Sequence, residues 1–154
     1  SRDVSVKRQI AFDSIAPIDL TTIFTGYGPL PAVVNVREYP GHWNKAGLSR
    51  TPVFSGGSTA RETLLSYERP SSFSYQITDF TNIFRHFVSK AQGAWSFTEN
   101  PNGVTRIEWT YEFFPRKGKH WLVKFCILPL WKRYMQNALQ LGCQQIEAAQ
   151  KETS

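Results

Sequence analysis

Cysteine is scarce in this chain. Cys126 and Cys143 are the only two among its 154 residues, and both fall where the residue pattern is helical. On a continuous helix that 17-residue separation puts them about 25 Å apart at about 1.5 Å per residue, beyond the roughly 7 Å a disulfide tolerates. Unpaired cysteines suit a reducing compartment, and the expected location is cytoplasmic. No apolar run approaches the roughly 18 residues of a membrane span. No signal-peptide pattern opens the chain, and Ser1 in place of Met points to a trimmed start. Histidine is equally sparse: His42, His86 and His120 stand far apart, with no H-x-H, H-E-x-x-H or Cys/His spacing. Neither a metal nor a cofactor is therefore expected. The chain has no G-x-S-x-G elbow and no P-loop. Gly26-Tyr27-Gly28 follows an expected helix rather than a strand, the wrong context for dinucleotide binding. No internal repeat, low-complexity tract or shift in composition divides the chain, and one domain over 1–154 is expected.

Aromatic residues are plentiful: 11 Phe, 6 Tyr and 5 Trp make up 14% of the chain, within a hydrophobic share of 41%. A chain of this size buries on the order of two-thirds of its unfolded surface. Large flat side chains fill such a core, and they also line cavities that hold apolar ligands. Lys and Arg number 18 against 12 Asp and Glu, a formal net charge of +6. These basic residues read as scattered, so a nucleic-acid partner is not expected. The densest group is Arg116, Lys117, Lys119 and Lys124. It reads as a solvated turn, with contact to an anion or a membrane surface as the alternative.

Val4 to Phe12 alternates as a strand interrupted at Arg8, and Asp13 and Ser14 offer caps for a short helix through Phe24. From Ala32 the pattern is β for about eighty residues. Its runs are Ala32–Glu38, Leu48–Phe54, Thr59–Tyr67, Phe73–Thr78, Ser89–Glu99 and Val104–Phe114, broken by Tyr39-Pro40-Gly41-His42, Ser55-Gly56-Gly57-Ser58, Arg69-Pro70-Ser71-Ser72 and Asn100-Pro101-Asn102-Gly103. Asn82–Phe87 reads as a loop. In the last strand Thr105, Ile107, Trp109, Tyr111 and Phe113 share one face, while Arg106, Glu108, Thr110 and Glu112 share the other. Charged side chains stay in water, so the aromatic face looks inward. Beyond Pro115–Lys119 the period becomes helical: Leu128, Trp131, Met135, Leu139, Gly142 and Ile146 form an apolar stripe on a long helix expected to begin near Pro129, with Trp121–Ile127 open to a separate turn of helix leading in. Connections this short make the strands antiparallel, and a helix with one apolar stripe needs a sheet to cover it. The expected class is α+β, a curved antiparallel sheet gripping a long C-terminal helix with an internal cavity.

Gly41-His42-Trp43, Gly47, Arg50, Gly56-Gly57 and Glu62, followed by Gly93-Ala94-Trp95-Ser96-Phe97 and Gly103-Val104-Thr105-Arg106-Ile107-Glu108-Trp109, resemble a known family. They are similar to the START-like (SRPBCC) superfamily, in particular its bacterial polyketide cyclase/dehydrase and lipid transport branch, along nearly the whole chain. The resemblance implies the helix-grip fold and a cavity for a lipid, hormone, polyketide or other hydrophobic molecule. Some members catalyse cyclisation or hydration. It implies no catalytic residues, because the family shares no such set.

The candidate cavity wall is Tyr75, Trp95, Trp109 and Tyr111, with Met135 and Leu139 opposite on the helix; ordinary core packing is the alternative for each. Trp43 and the Phe80–Phe87 segment, with Phe84 and Phe87, are candidates for an entrance. Glu62 reads either as an ion-pair partner of Arg50 or Arg61 or as a polar anchor in the cavity. Of Arg61 and Glu62 only one points inward, since strand neighbours face opposite ways. Three functions are open. The first is a binding protein for an apolar or amphipathic small molecule, lipid- or polyketide-like. The second is a cyclase or dehydratase using cavity Tyr, Glu or Arg for acid/base work. The third is a protein drawn to nucleic acid or a membrane surface by its charge.

Overall fold

The computed structural model describes residues 1–153. Seven antiparallel strands form one sheet: β1 (Arg2–Val4), β2 (Val33–Arg37), β3 (Ser49–Phe54), β4 (Arg61–Glu68), β5 (Ser72–Thr78), β6 (Val88–Glu99) and β7 (Thr105–Pro115). Their order is β1-β7-β6-β5-β4-β3-β2. From β2 to β7 the chain is a meander, and the N-terminal strand returns to the far edge, where Val4 faces Thr105. The curved sheet and the long C-terminal helix are a helix-grip α+β fold. Both central residues of the Gly56-Gly57 turn take positive φ, a conformation that costs glycine nothing.

The first nine expected strand positions divide differently. Only Arg2–Val4 is strand, and Arg8–Ile15 is helix α1. Alternation ends at Val6; Ala11, Phe12 and Ile15 are buried at helical spacing while Ile10 turns outward. Asp13 lies inside α1 rather than capping a helix, and holds Arg69 in a two-point ion pair. The capping role belongs to Asp19, whose Oδ1 accepts from the Thr21 amide at 3.0 Å at the start of a 3-10 turn, Leu20–Thr22. A second 3-10 turn, Ile83–His86, occupies the expected loop before β6.

The C-terminal helix, α2, starts earlier than Pro129. It runs through His120–Leu122, a wide π segment Val123–Ile127, and Leu128–Thr153. Pro129 has no amide to donate and its ring crowds the preceding turn. The π segment just before it widens the ladder, the Leu128 amide reaching back to the Val123 carbonyl. Tyr134, Ala138, Leu139, Cys143 and Ile146 bury the helix against the sheet. Among the described residues no helix is long and apolar enough to cross a membrane.

Candidate functional site

Strand pairing stacks the aromatic residues in a row. Phe73 faces Trp95 across β5 and β6, and Trp95 faces Trp109 across β6 and β7. The two indoles lie parallel with centroids 4.4 Å apart, and Phe73 continues the stack at 6.0 Å. The next layer is Tyr75, Gly93 and Tyr111, side by side in register. Gly93 is required there. A Cβ on it would meet the Tyr75 ring and hydroxyl, with Cε1 only 2.9 Å away. The bare backbone lets the Tyr75 ring lie over β6, where its hydroxyl accepts the Trp109 Nε1–H at 3.0 Å.

These side chains line a cavity of about 110 Å³ between sheet and helix. Tyr75, Trp95, Trp109 and Tyr111 are on its sheet side. Met135 and Leu139 are not its helical wall: both pack into the main core, and the helix side is Ile127, Trp131 and Tyr134. Trp131 of the expected stripe meets the cavity, whereas Leu139, Gly142 and Ile146, further along the same helix, are buried beyond it. Tyr134 closes the floor. Its hydroxyl donates to the Pro31 carbonyl at 2.8 Å and accepts the Gly26 amide at 2.9 Å. Through that anchor the segment Leu20–Val33 becomes a wall, contributing Ile23, Phe24 and Val33. Sequence patterning missed this segment because its short turns and prolines carry no period.

One ion pair enters this apolar room. Arg50 and Glu62 face each other across β3 and β4, with Nε to Oε2 at 2.9 Å and Nη2 to Oε1 at 3.3 Å. Their side chains are 6% and 5% exposed. Arg61 points outward, where its guanidinium bonds the Ser49 hydroxyl. Trp43 is not at an entrance: it is buried, and the Arg50 guanidinium lies 4.3 Å over its ring. Pro31, Phe54, Phe80, Asn82, Phe84 and Trp131 are half-buried members of the lining.

Two polar groups on the wall keep hydrogen-bonding capacity. The Trp131 Nε1–H is buried without a partner, and the Tyr111 hydroxyl makes no hydrogen bond, among the described residues. Burial pushes the Tyr111 phenol far above the ordinary 10.0, and the nearby Glu62 charge raises it further. Burial likewise lifts Tyr75, then Tyr111 and Glu62, against the opposing hydrogen bond from Trp109. Both phenols therefore stay neutral, able to donate but not to act as bases at neutral pH. Raised folded values favour the native state below the unfolded value of 10.0 and lose that advantage as pH climbs above it. In a spectrophotometric titration at least two of the six tyrosines will ionise only on alkaline unfolding. Replacing both Tyr75 and Tyr111 by Phe will shrink that delayed phase, leaving the smaller delay that burial gives Tyr134. Six freely titrating tyrosines in the folded protein would contradict this burial.

Several solved structures share the fold. The crystal structure of Ara h 8.0201 superposes with a TM-score of 0.66 at 13% identity, covering 96% of this chain and 94% of that one. The XoxI protein from Bacillus cereus gives 0.64 at 14% identity, covering 96% and 93%. The two-domain aromatase/cyclase StfQ of the steffimycin biosynthetic pathway gives 0.63 at 14% identity, with 97% of this chain matching 44% of that one. At such identities the likeness is one of fold. No curated protein sequence matches the chain. The family model for polyketide cyclase/dehydrase and lipid transport proteins matches residues 3–149. The chain belongs to that family, within the START-like (SRPBCC) superfamily.

Proposed function

We propose that the protein binds one apolar or amphipathic small molecule, lipid- or polyketide-like, between the sheet and α2. The supporting observation is the cavity itself: about 110 Å³ of space, where a water needs only about 10–15 Å³. Aromatic walls exclude water from most of that space, and apolar surface brought there from solvent is stabilised. The space suits a ring-sized group, with any longer part of the ligand leaving past Phe80 and Phe84. Tyr75, Trp95, Trp109 and Tyr111 are its proposed contacts. The Trp131 Nε1–H and the Tyr111 hydroxyl, both without hydrogen-bond partners among the described residues, suit a ligand oxygen. The free cysteines fit action in the cytoplasm.

A second reading, catalysis of a cyclase or dehydratase kind, draws on Tyr111 as a neutral proton donor beside the Arg50–Glu62 pair. Binding is preferred because Arg50 and Glu62 satisfy each other and Tyr75 is engaged by Trp109. Native mass spectrometry of freshly purified protein, with organic extraction of the released molecule, tests the reading. The expected adduct is one per chain, held about three- to tenfold less tightly by Tyr111→Phe, the worth of one hydrogen bond. An extracted molecule that is strongly hydrophilic would overturn it. Turnover of the extracted molecule that collapses in Tyr111→Phe would favour the enzyme.

A further inference from the structure

The charge excess and the exposed apolar surface of this protein coincide. No Asp or Glu occurs between Glu112 and Glu147, a stretch that contains Arg116, Lys117, Lys119, Lys124, Lys132 and Arg133. The other twelve basic residues balance the twelve acidic ones, so this stretch holds the entire formal excess of +6. The basic residues are not scattered in net effect.

The opening turns of α2 within that stretch expose Trp121 at 72% and Phe125 at 60%, with Leu122 and Leu128 beside them. The Trp121 and Phe125 rings stack at 5.3 Å and 9°, and Lys124 Nζ lies 5.6 Å over Phe125. Val123 and Ile127, on the other side of the same turns, are buried among Phe80, Phe84, Phe87 and Phe113. The 3-10 turn Ile83–His86 is strapped to this segment: Arg116 donates its amide to the Phe87 carbonyl at 2.8 Å and its Nε to the Arg85 carbonyl. Ile83 on that turn is 64% exposed. Phe80, Phe84, Phe113 and Ile127 line the cavity. The exposed strip is thus the outer side of the cavity wall.

Charge decides what covers such a strip. A second copy would bring six positive charges against six, which is unfavourable. A lipid surface bearing negative headgroups is complementary: aromatic rings settle at headgroup depth and lysines reach out to the phosphates. We propose that residues 116–133, with the Ile83 turn, dock the protein peripherally on an anionic lipid bilayer. The docking stands independently of what the cavity holds.

The test is co-sedimentation of the whole chain with phosphatidylcholine vesicles, with and without phosphatidylglycerol, alongside light scattering for mass. Binding is expected to vesicles containing phosphatidylglycerol, weakening as salt is raised. Replacing Lys117, Lys119 and Lys124 by Gln will weaken it about a hundredfold, at about fivefold per charge. The Trp121→Ser/Phe125→Ser variant will weaken it at least about tenfold through lost apolar contact. Both variants alter exposed side chains, so unchanged thermal melting will show that they fold. Equal sedimentation with both vesicle types, or binding untouched by Trp121→Ser/Phe125→Ser, would overturn the proposal. So would a wild-type dimer that the same variant makes monomeric, since the strip would then belong to a second copy.

Discussion

Arg50→Met will destabilise the fold by about 3–5 kcal/mol, because it leaves the Glu62 carboxylate buried without its partner. Apolar groups pack against the pair: Trp43 covers the guanidinium, and Ile77 is the cross-strand neighbour of Glu62. Two hydrogen bonds between the partners offset the desolvation of both charges. Removing one partner keeps the desolvation and discards the compensation. Replacing both, as Arg50→Met/Glu62→Leu, will restore stability to about the wild-type value or above it. Chemical denaturation with an unchanged slope measures both. A single variant costing under about 1 kcal/mol would mean that water reaches the pair, as it does for exposed ion pairs.

Gly93→Ala will also destabilise, by about 1–3 kcal/mol, although exchanging a strand glycine for alanine ordinarily helps. Here the new methyl enters the space of the Tyr75 ring. Tyr75 is buried and bonded through its hydroxyl to Trp109, so it has no costless retreat. It will be driven toward the cavity, and the Trp109 Nε1–H will lose its acceptor. In a Tyr75→Ala background the same glycine change will cost much less, a coupling that a double-mutant cycle reads directly. Additive costs would show that the ring does not rest on Gly93.

Much of this architecture is legible in the sequence, for reasons particular to its elements. The strand ending in Trp109, Tyr111 and Phe113 carries a charge at nearly every other position, and water holds the charged face outward. Gly56-Gly57 and Asn100-Pro101-Asn102-Gly103 punctuate the meander with residues that few other structures use so densely. The first strand was less legible, because Val4 and Val6 continue by chance into Arg8, Ile10 and Phe12 with the same alternation. The continuity of α2 from Trp121–Ile127 into the long helix was hidden by Pro129, which ordinarily marks a first turn and here follows a π segment. Four of the six expected contacts, Tyr75, Trp95, Trp109 and Tyr111, line the cavity. Strand alternation fixes their facing within a sheet. Met135 and Leu139 fall into the core because they lie beyond Trp131 on the same apolar stripe, and period alone does not say which turn of it meets empty space. Tyr134 and the Leu20–Val33 wall depend on a tertiary hydrogen bond between residues 103 positions apart, Tyr134 and Pro31. No local pattern encodes that.

The most direct measurement of the central claim is a fluorescence titration with N-phenyl-1-naphthylamine, a neutral apolar probe that the basic strip on α2 does not attract by charge. Val33→Phe, which enlarges a buried wall residue, is the comparison. The account predicts saturable binding at one probe per chain in the wild type and at least about tenfold weaker binding in Val33→Phe, the worth of displacing roughly 1.4 kcal/mol of apolar contact. No saturable binding, or equal binding in the two proteins, would contradict it.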